Sequence, residues 1–425
     1  MKRIIPPVKG TRDFYPEQMA LRNWLYSTVR AVSESFGYQE WDAPFLETLD
    51  LYAAKSGEEL VKKQSYVFTD RGGDEITLRP ELTPSLARMI AARQNELVFP
   101  VRWWSFGPFW RYERPGRGRS REFFQWNIDM LGTTGAEADA ELVAIAAGFL
   151  KAVGLSPSQA QIYVNNRGLM DTEFDKLGIK PEKKAEVSGL VDRRQKMNAE
   201  AWEANAVEIG LTTRQMDGLK SILDDKERWR NSEELVQLFK ALETLGVREY
   251  VQYDPNIMRG LLYYTGTVFE AFDISGGVRR SILGGGRYDN LLGDVGGDHL
   301  PAVGFAMGDV VITLILQELK LVPSLPVSPA PVLVTVFSPE LLLDSISLAA
   351  EMRGDGLKVI CYPEPSKLPK QFKYADRMGM QVVLVIGPDE AKARKVTVKN
   401  LSSGTQETIA RGKVFESVNK ILESQ

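Results

Sequence analysis

Apolar positions between Glu17 and Phe36 recur at helical spacing, with Leu21, Trp24, Leu25, Val29, Val32 and Phe36 on one stripe. That period predicts an amphipathic helix. "FGYQEWDAPFLETLDLY" (36–52) then reads as a turn, an extended piece containing Pro44, and a short helix. Ser65–Thr69 and Glu75–Leu78 read as two strands joined by the turn "DRGGD", and Leu82–Ala92 as a helix. Val101–Trp110 and Glu122–Leu131 are predicted strands. The second alternates: Phe124, Trp126, Ile128 and Met130 point one way, Gln125, Asn127 and Asp129 the other. One face fits a core, and the polar face is where a ligand could sit.

Ala136–Val153 reads as a helix and Gln161–Asn165 as a short strand. The stretch 167–230 is charged and helical, the pattern of an insertion. Strand signals return at Val251–Asp254, Tyr263–Ile274 and Arg279–Ile282, and a helix near Met307–Leu319 closes the unit. "LVPSLPVSPAP" (321–331) holds four prolines and reads as a linker. Beyond it, "VLVTVF", "LKVICY", "QVVLVIG" and "KVTVKN" are short apolar strands, the first three separated by helical stretches. The expected class is therefore α+β: a sheet domain over 1–320 with a helical insertion, a linker at 321–330, and a small α/β domain over 331–425.

Composition narrows the chemistry. At 425 residues the chain is too long for one core. A net charge of −3 gives no global basic field, so any polyanion must bind at a local patch. Cys361 and His299 are the only residues of their types, which excludes an internal disulfide and argues against His/Cys zinc sites and histidine triads. The first residues form no signal peptide and no run approaches a membrane span, so a cytoplasmic protein without membrane contact is expected. Arginine, carboxylate and hydroxyl groups are left to do the work.

"FWRYERPGRGRSREFFQ" (109–125) concentrates five arginines in the loop between the two long strands. Guanidinium groups bind phosphate bidentately, and Gly116 and Gly118 allow close backbone approach. A solvated hairpin tip with ion pairs to Glu113 and Glu122 explains the composition equally well. Glu81 lies at a strand-to-helix junction, where an acid in the first helical turn is the ordinary explanation. Arg259 stands beside Gly260 ahead of Tyr263 and Tyr264. "GGGRYD" (284–289) matches no phosphate-loop pattern, and most such runs are tight turns. Lys367, Lys370, Lys373 and Arg377 are spaced for one basic helical stripe, which either faces solvent or a nucleic acid.

Taken together, these segments resemble the class II aminoacyl-tRNA synthetases, specifically the histidyl-tRNA synthetase family. "VKGTRDFYP" is similar to that family's N-terminal signature, "FGYQEWDAPFLE" to motif 1, the arginine loop with its strand to motif 2, "RGLLYYTGTVFE" and "GGGRYDNLL" to the histidine-specific motifs, and "PAVGFAMG" to the start of motif 3. The resemblance implies ATP as substrate, Mg²⁺, L-histidine and tRNA(His) as ligands, a homodimer, and an anticodon-binding C-terminal domain. It implies Arg259 and Arg111 as catalytic cations and Glu81, Thr83, Gln125, Asp129, Tyr263, Tyr264 and Tyr288 around histidine. Arg111, Glu113, Arg119, Arg121 and Phe123 would meet ATP, while Arg114, Arg117, Lys367, Lys370 and Lys373 would meet tRNA. Two departures stand out. Leu262 replaces the family's usual Asp, and Asp309-Val310-Val311 replaces Leu-Glu-Arg, removing the arginine expected on the γ-phosphate. Arg119 or Arg121 is the expected compensating cation. An inactive histidine-sensing paralogue, similar to the regulatory subunit of ATP phosphoribosyltransferase, is the second reading.

Overall fold

The computed structural model describes residues 4–53, 63–259, 263–277, 280–290, 293, 297–325, 328 and 330–424. The chain divides into two units, Met1–Asp13 with Arg22–Val322, and Phe14–Leu21 with Pro323–Gln425. The strands of the first, in chain order, are β1 (Gln39–Glu40), β2 (Leu46–Thr48), β3 (Tyr66–Thr69), β4 (Glu75–Leu78), β5 (Val101–Trp110) and β6 (Glu122–Leu131). Then follow β7 (Ala160–Asn166), β8 (Val251–Tyr253), β9 (Thr267–Asp273), β10 (Ser281–Tyr288) and β11 (Ala302–Gly308).

Eight of these strands form one sheet among the described residues, in the order β1-β5-β6-β11-β10-β9-β7-β8. Only the outer pairs, β1 with β5 and β7 with β8, are parallel. Alternation decides the faces. Trp126, Ile128 and Met130 of β6 and Val303, Phe305 and Met307 of β11 enter one core with Phe269 and Leu283. The helix Ala136–Ala152 lies in that core, touching β6, β7, β10 and β11. Most of its alanines are buried with Leu142, Ile145 and Phe149, because small side chains let a helix sit close to a twisted sheet. The opposite face of β6 and β11 stays polar or small and is left for the site.

Two expectations are corrected here. The three glycines of "GGGRYD" are not a turn but the interior of β10, paired to β9 and β11 at once. Glycine is depleted in strands for lack of a side chain to pack, yet a β-carbon on Gly285 would stand 2.1 Å from the Gly304 carbonyl oxygen. And β11, the centre of the sheet, coincides with "AVGFAMG", whose alternating small residues carry no strand signal of their own.

Between β7 and β8 lie the helices Arg167–Lys176, Lys184–Arg193, Ala199–Glu208, Thr213–Asp224 and Glu233–Thr244. Met170, Phe174, Val187, Leu190, Trp202 and Leu219 of the first four form a separate core. The last helix returns Leu235, Leu238 and Leu242 to the sheet core. A small sheet, β2-β4-β3, leaves Phe45 beside it and Leu46, Val67 and Phe68 of its strands exposed.

The second unit holds β12 (Val332–Val334), β13 (Val359–Cys361), β14 (Val382–Val385), β15 (Lys395–Asn400) and β16 (Gln406–Ala410), ordered β13-β12-β14-β15-β16. The first three are parallel, as βαβ connections require, and the last two are antiparallel. β16 escapes a sequence reading because it is a polar, mostly exposed edge strand.

Candidate active site

The uncovered face of the large sheet is the floor of a cavity of about 840 Å³. Gln125, Asn127 and Asp129 of β6 lie beside Gly304, Ala306 and Gly308 of β11 and Gly284 of β10. Three glycines, at 284, 286 and 304, make room for a functional group. A β-carbon on Gly304 would meet Asp129 Oδ1 at 1.9 Å; one on Gly284 would meet Arg259 Nη1 at 1.4 Å; one on Gly286 would meet Tyr264 Cδ1 at 2.9 Å. The glycines of β10 carry a guanidinium and a phenol ring, and Gly304 of β11 carries a carboxylate.

Asp129 is buried, and Tyr288 Oη donates to its Oδ1 at 2.5 Å. Burial pushes the Asp129 carboxyl up to about 7, against the pull of that hydrogen bond. Burial likewise holds the Tyr263 and Tyr288 phenols well above their ordinary value, so both remain neutral donors. The Tyr263 ring lies 4.7 Å from that of Tyr264 and 6.0 Å from that of Tyr288. A carboxyl near neutrality beside fixed phenols can either accept or donate, which suits a ligand that itself titrates near neutrality.

Arg259 enters from the chain ahead of β9. Its φ of +49° is unusual for a residue with a side chain. Arg167 Nη2 holds this backbone, donating to the carbonyls of Met258 at 3.0 Å and Arg259 at 2.6 Å. The Arg259 guanidinium lies 3.8 Å from Glu270 Oε1 and 5.7 Å from the Tyr264 ring centroid. Leu262 lies outside the described residues.

The arginine loop is tied at both ends. Arg111 N donates to Arg121 O at 2.9 Å, and Gly116 pairs with Arg119 at the tip. Below it, Gly10 O accepts from Arg121 N and Glu122 N at 2.7 and 3.2 Å. Arg12 reaches Asp309 at 2.8 Å, and Asp309 also accepts from Phe124 N at 2.9 Å. The N-terminal signature thus braces the loop from beneath. Arg111, Glu113, Arg119 and Phe123 line the cavity. Arg111 Nε donates to Pro80 O at 2.9 Å, with its guanidinium 5.4 Å from the Phe123 ring centroid. Arg119 pairs with Glu113 at 2.7 Å. Arg121 is not among the lining residues: it stacks 4.1 Å from the Tyr112 ring centroid and donates to Glu113 O. Arg114 and Arg117 are exposed, and Arg117 pairs with Glu318.

Glu81 and Thr83 line the cavity wall. The helix begins at Thr83 with no acid in its first turn, so Glu81 is not the dipole-pairing residue its position predicts. Of the "GGGRYD" side chains, Tyr288 belongs to the site, whereas Arg287 is turned away into a buried pair with Asp139 at 2.5 Å. Sequence reasoning passes over Glu270, Arg280, Lys196 and Gln64, all of which line the cavity. Glu270 carries a signal, an acid between the apolar neighbours of "TVFEAF"; Lys196, from the helical insertion, carries none.

In the second unit, Lys367 stands at the N-terminal boundary of the helix Leu368–Arg377, and Lys370, Lys373 and Arg377 are exposed along it while Gln371 and Ala375 face inward. The expected basic stripe is therefore a solvent-facing surface of that helix. Lys370 stands 3.6 Å from Glu364.

Residues 10–309 match the family model described as histidyl-tRNA synthetase, and residues 331–421 match an anticodon binding domain. The chain is 36% identical to the histidine–tRNA ligase of Leptospira biflexa, over 97% of both chains. It is 38% identical to that of Thermoplasma volcanium, over 98% of this chain and 99% of the relative. Among solved structures, a histidyl-tRNA synthetase from a Nostoc species superposes with a TM-score of 0.84 at 27% identity, covering 99% of this chain and 100% of that one.

Proposed function

The chain belongs to the histidyl-tRNA synthetase family, and on that premise we propose how its cavity carries the family's reaction. It is a ligase: it activates L-histidine with ATP to histidyl-adenylate and then transfers the histidyl group to the 3′ end of tRNA(His), releasing AMP and pyrophosphate in all. Asp129 and Tyr264 take the imidazole, with Tyr263 and Tyr288 closing the pocket around it. A buried, hydrogen-bonded acid rejects isosteres without ring nitrogens, because they leave it unpaired. Glu81, Thr83 and Gln125 take the α-amino group. That arrangement directs the histidine carboxylate toward Arg259 and Arg111, which flank the α-phosphate of ATP. Attack there builds negative charge, and fixed cations lining the cavity stabilise it. Glu113, Arg119 and Phe123 meet the rest of ATP, whereas Arg121 braces the loop. Arg114 and Arg117 at the exposed loop tip face the acceptor end of tRNA, and Lys367, Lys370 and Lys373 face its anticodon arm.

The observation that carries this reading is the convergence in one cavity of a buried Asp129–Tyr288 pair with two arginines held from separate elements, Arg111 by Pro80 and Arg259 by the Arg167-bound backbone. Among the described residues no cluster of three acidic, histidine or cysteine side chains could cage a metal. Glu113 and Glu270, which line the cavity, would hold Mg²⁺ beside the nucleotide. When bound, it offsets phosphate charge. The exposed apolar residues Phe45, Leu46, Val67 and Phe68 support a homodimer through this face. No helix of the described residues is long and apolar enough to cross a membrane, and the reaction belongs in the cytoplasm with translation. The histidine-sensor reading is disfavoured by the anticodon-binding match of the C-terminal unit.

The test is histidine-dependent exchange of pyrophosphate into ATP, with other amino acids as controls. Exchange with histidine alone is expected. Arg259→Ala should lower it about 100- to 1,000-fold while the fold persists; near-normal exchange in that variant removes Arg259 from the chemistry.

A further inference from the structure

Val311 occupies the position where the resemblance calls for an arginine on the terminal phosphates, and its side chain borders the cavity. A valine supplies no charge, so the cation must come from elsewhere or be missing. Arg280 lies within the same cavity, one residue ahead of β10. Both side chains lie beside Gly118 of the arginine loop. A β-carbon placed on Gly118 would stand 2.9 Å from Arg280 Cδ, 3.4 Å from Arg280 Nε and 3.5 Å from Val311 Cγ2. A glycine with φ of +74° at that point lets the loop descend onto both.

The other cations lining the cavity are already engaged. Arg119 pairs with Glu113 at 2.7 Å, Lys196 with Asp192 at 2.7 Å, and Arg259 faces Glu270 at 3.8 Å. Arg111 donates to Pro80 O. Arg121, one of the two residues expected to compensate, is directed out of the cavity onto Tyr112. Arg280 alone among the lining arginines and lysines has no carboxylate or hydrogen-bond acceptor among the described residues. An arginine held without a counter-ion at the rim of an arginine-rich cavity is poised for an anionic ligand.

We propose that Arg280 holds the leaving pyrophosphate of ATP, standing in from the sheet side for the arginine that position 311 lacks. This role presupposes adenylate formation as described above. A carboxylate oxygen of histidine bonds to the α-phosphorus, the bond from that phosphorus to the oxygen bridging to the β-phosphate breaks, and the electron pair leaves on pyrophosphate. The guanidinium of Arg280 meets that growing charge, as Arg111 and Arg259 meet the charge on the α-phosphate.

Four proteins test it: the parent, R280M, R280K and the double variant R280M/V311R. Pyrophosphate exchange gives kcat and the separate KM values for ATP and histidine, and calorimetric histidine binding reports that the pocket is folded. R280M should lose about 100-fold in kcat/KM for ATP with an unchanged KM for histidine. R280K, keeping a charge without the planar fork, should fall between the two. Adding V311R to R280M should return at least about tenfold, because the charge is restored from the neighbouring side of the same point. R280M within about threefold of the parent, or a loss that lies in the KM for histidine and leaves kcat and the KM for ATP unchanged, overturns the assignment. So does a double variant that regains nothing. If R280M does not bind histidine, R280K decides: parental kinetics with a different side-chain geometry would also overturn it. A parent without histidine-dependent exchange refutes the adenylate reading itself, a result separable from all of these.

Discussion

Asp129→Asn should make the ligand-free protein more stable while making it a worse histidine binder. Burial raises the Asp129 carboxyl from 3.8 to about 7. Below about pH 4 the folded and unfolded chains both hold this proton. Between about pH 4 and 7 the folded chain keeps it and the unfolded chain does not, so this carboxyl's contribution to stability falls as pH rises, and it levels off above 7. A rise of about three pK units at about 1.4 kcal/mol each makes the full effect about 4 kcal/mol. Asparagine never ionises, and its amide oxygen can still accept from Tyr288. The gap between D129N and the parent should therefore open from near zero at pH 4 to as much as about 4 kcal/mol at pH 8. All eight tryptophans lie between residues 24 and 229, so denaturant unfolding followed by tryptophan fluorescence reports the sheet-bearing unit alone. Histidine affinity, measured by calorimetry at pH 7.5, should drop about 10- to 100-fold, the worth of a hydrogen bond to a charged group. A stability gap that is flat from pH 4 to 8, or one of the opposite sign, would show that the Asp129 site does not penalise its charge and would refute the reasoning.

Other substitutions probe separate links. Gly285→Ala would force a β-carbon to within 2.1 Å of a strand carbonyl and 2.4 Å of Phe305 Cβ. Backbone cannot step aside as a side-chain tip can, so a loss of roughly 3 kcal/mol or more is expected in the same fluorescence assay; a parental midpoint would mean that β10 and β11 are not in this register. Charge reversal at Lys370 and Lys373 should weaken tRNA(His) binding and flatten its dependence on salt, by about 0.7–1 in the logarithmic slope for each phosphate no longer neutralised. An unaltered slope returns that helix face to plain solvent.

Part of the large sheet was legible because β6 alternates cleanly and β5 is rich in aromatic residues. β5 and β6 fall where the pattern puts them, and the polar face of β6 became the cavity floor, since periodicity of two is a local property. The glycine strand was not legible, because its reason is non-local: Arg259, Tyr264 and the facing strand occupy the space that side chains would fill. β11 was hidden likewise, half its residues being small for the sake of the cavity. The roll of candidate residues came from the spelling of motifs, and the cavity gathers most of them. What spelling could not supply was direction. Nothing local distinguishes Arg121, turned onto Tyr112, from Arg119, turned inward, or marks Arg280, whose neighbour Val311 is 31 positions away in the chain.

The position of β11 sets a timetable for synthesis. Among the described residues it alone links β1-β5-β6 to β10-β9-β7-β8 within the sheet, and it is the last of the eight strands to be made. β6 ends at Leu131 and β11 begins at Ala302, so a ribosome adding 5–20 residues per second leaves the edge of β6 unpaired for roughly 10–35 s. The helical insertion, with a core of its own, is completed during that wait. Until residue 309 emerges, Arg12 also lacks Asp309, and the brace beneath the arginine loop cannot close. The nascent chain therefore carries two half-sheets with open edges, the condition in which a holding chaperone matters most.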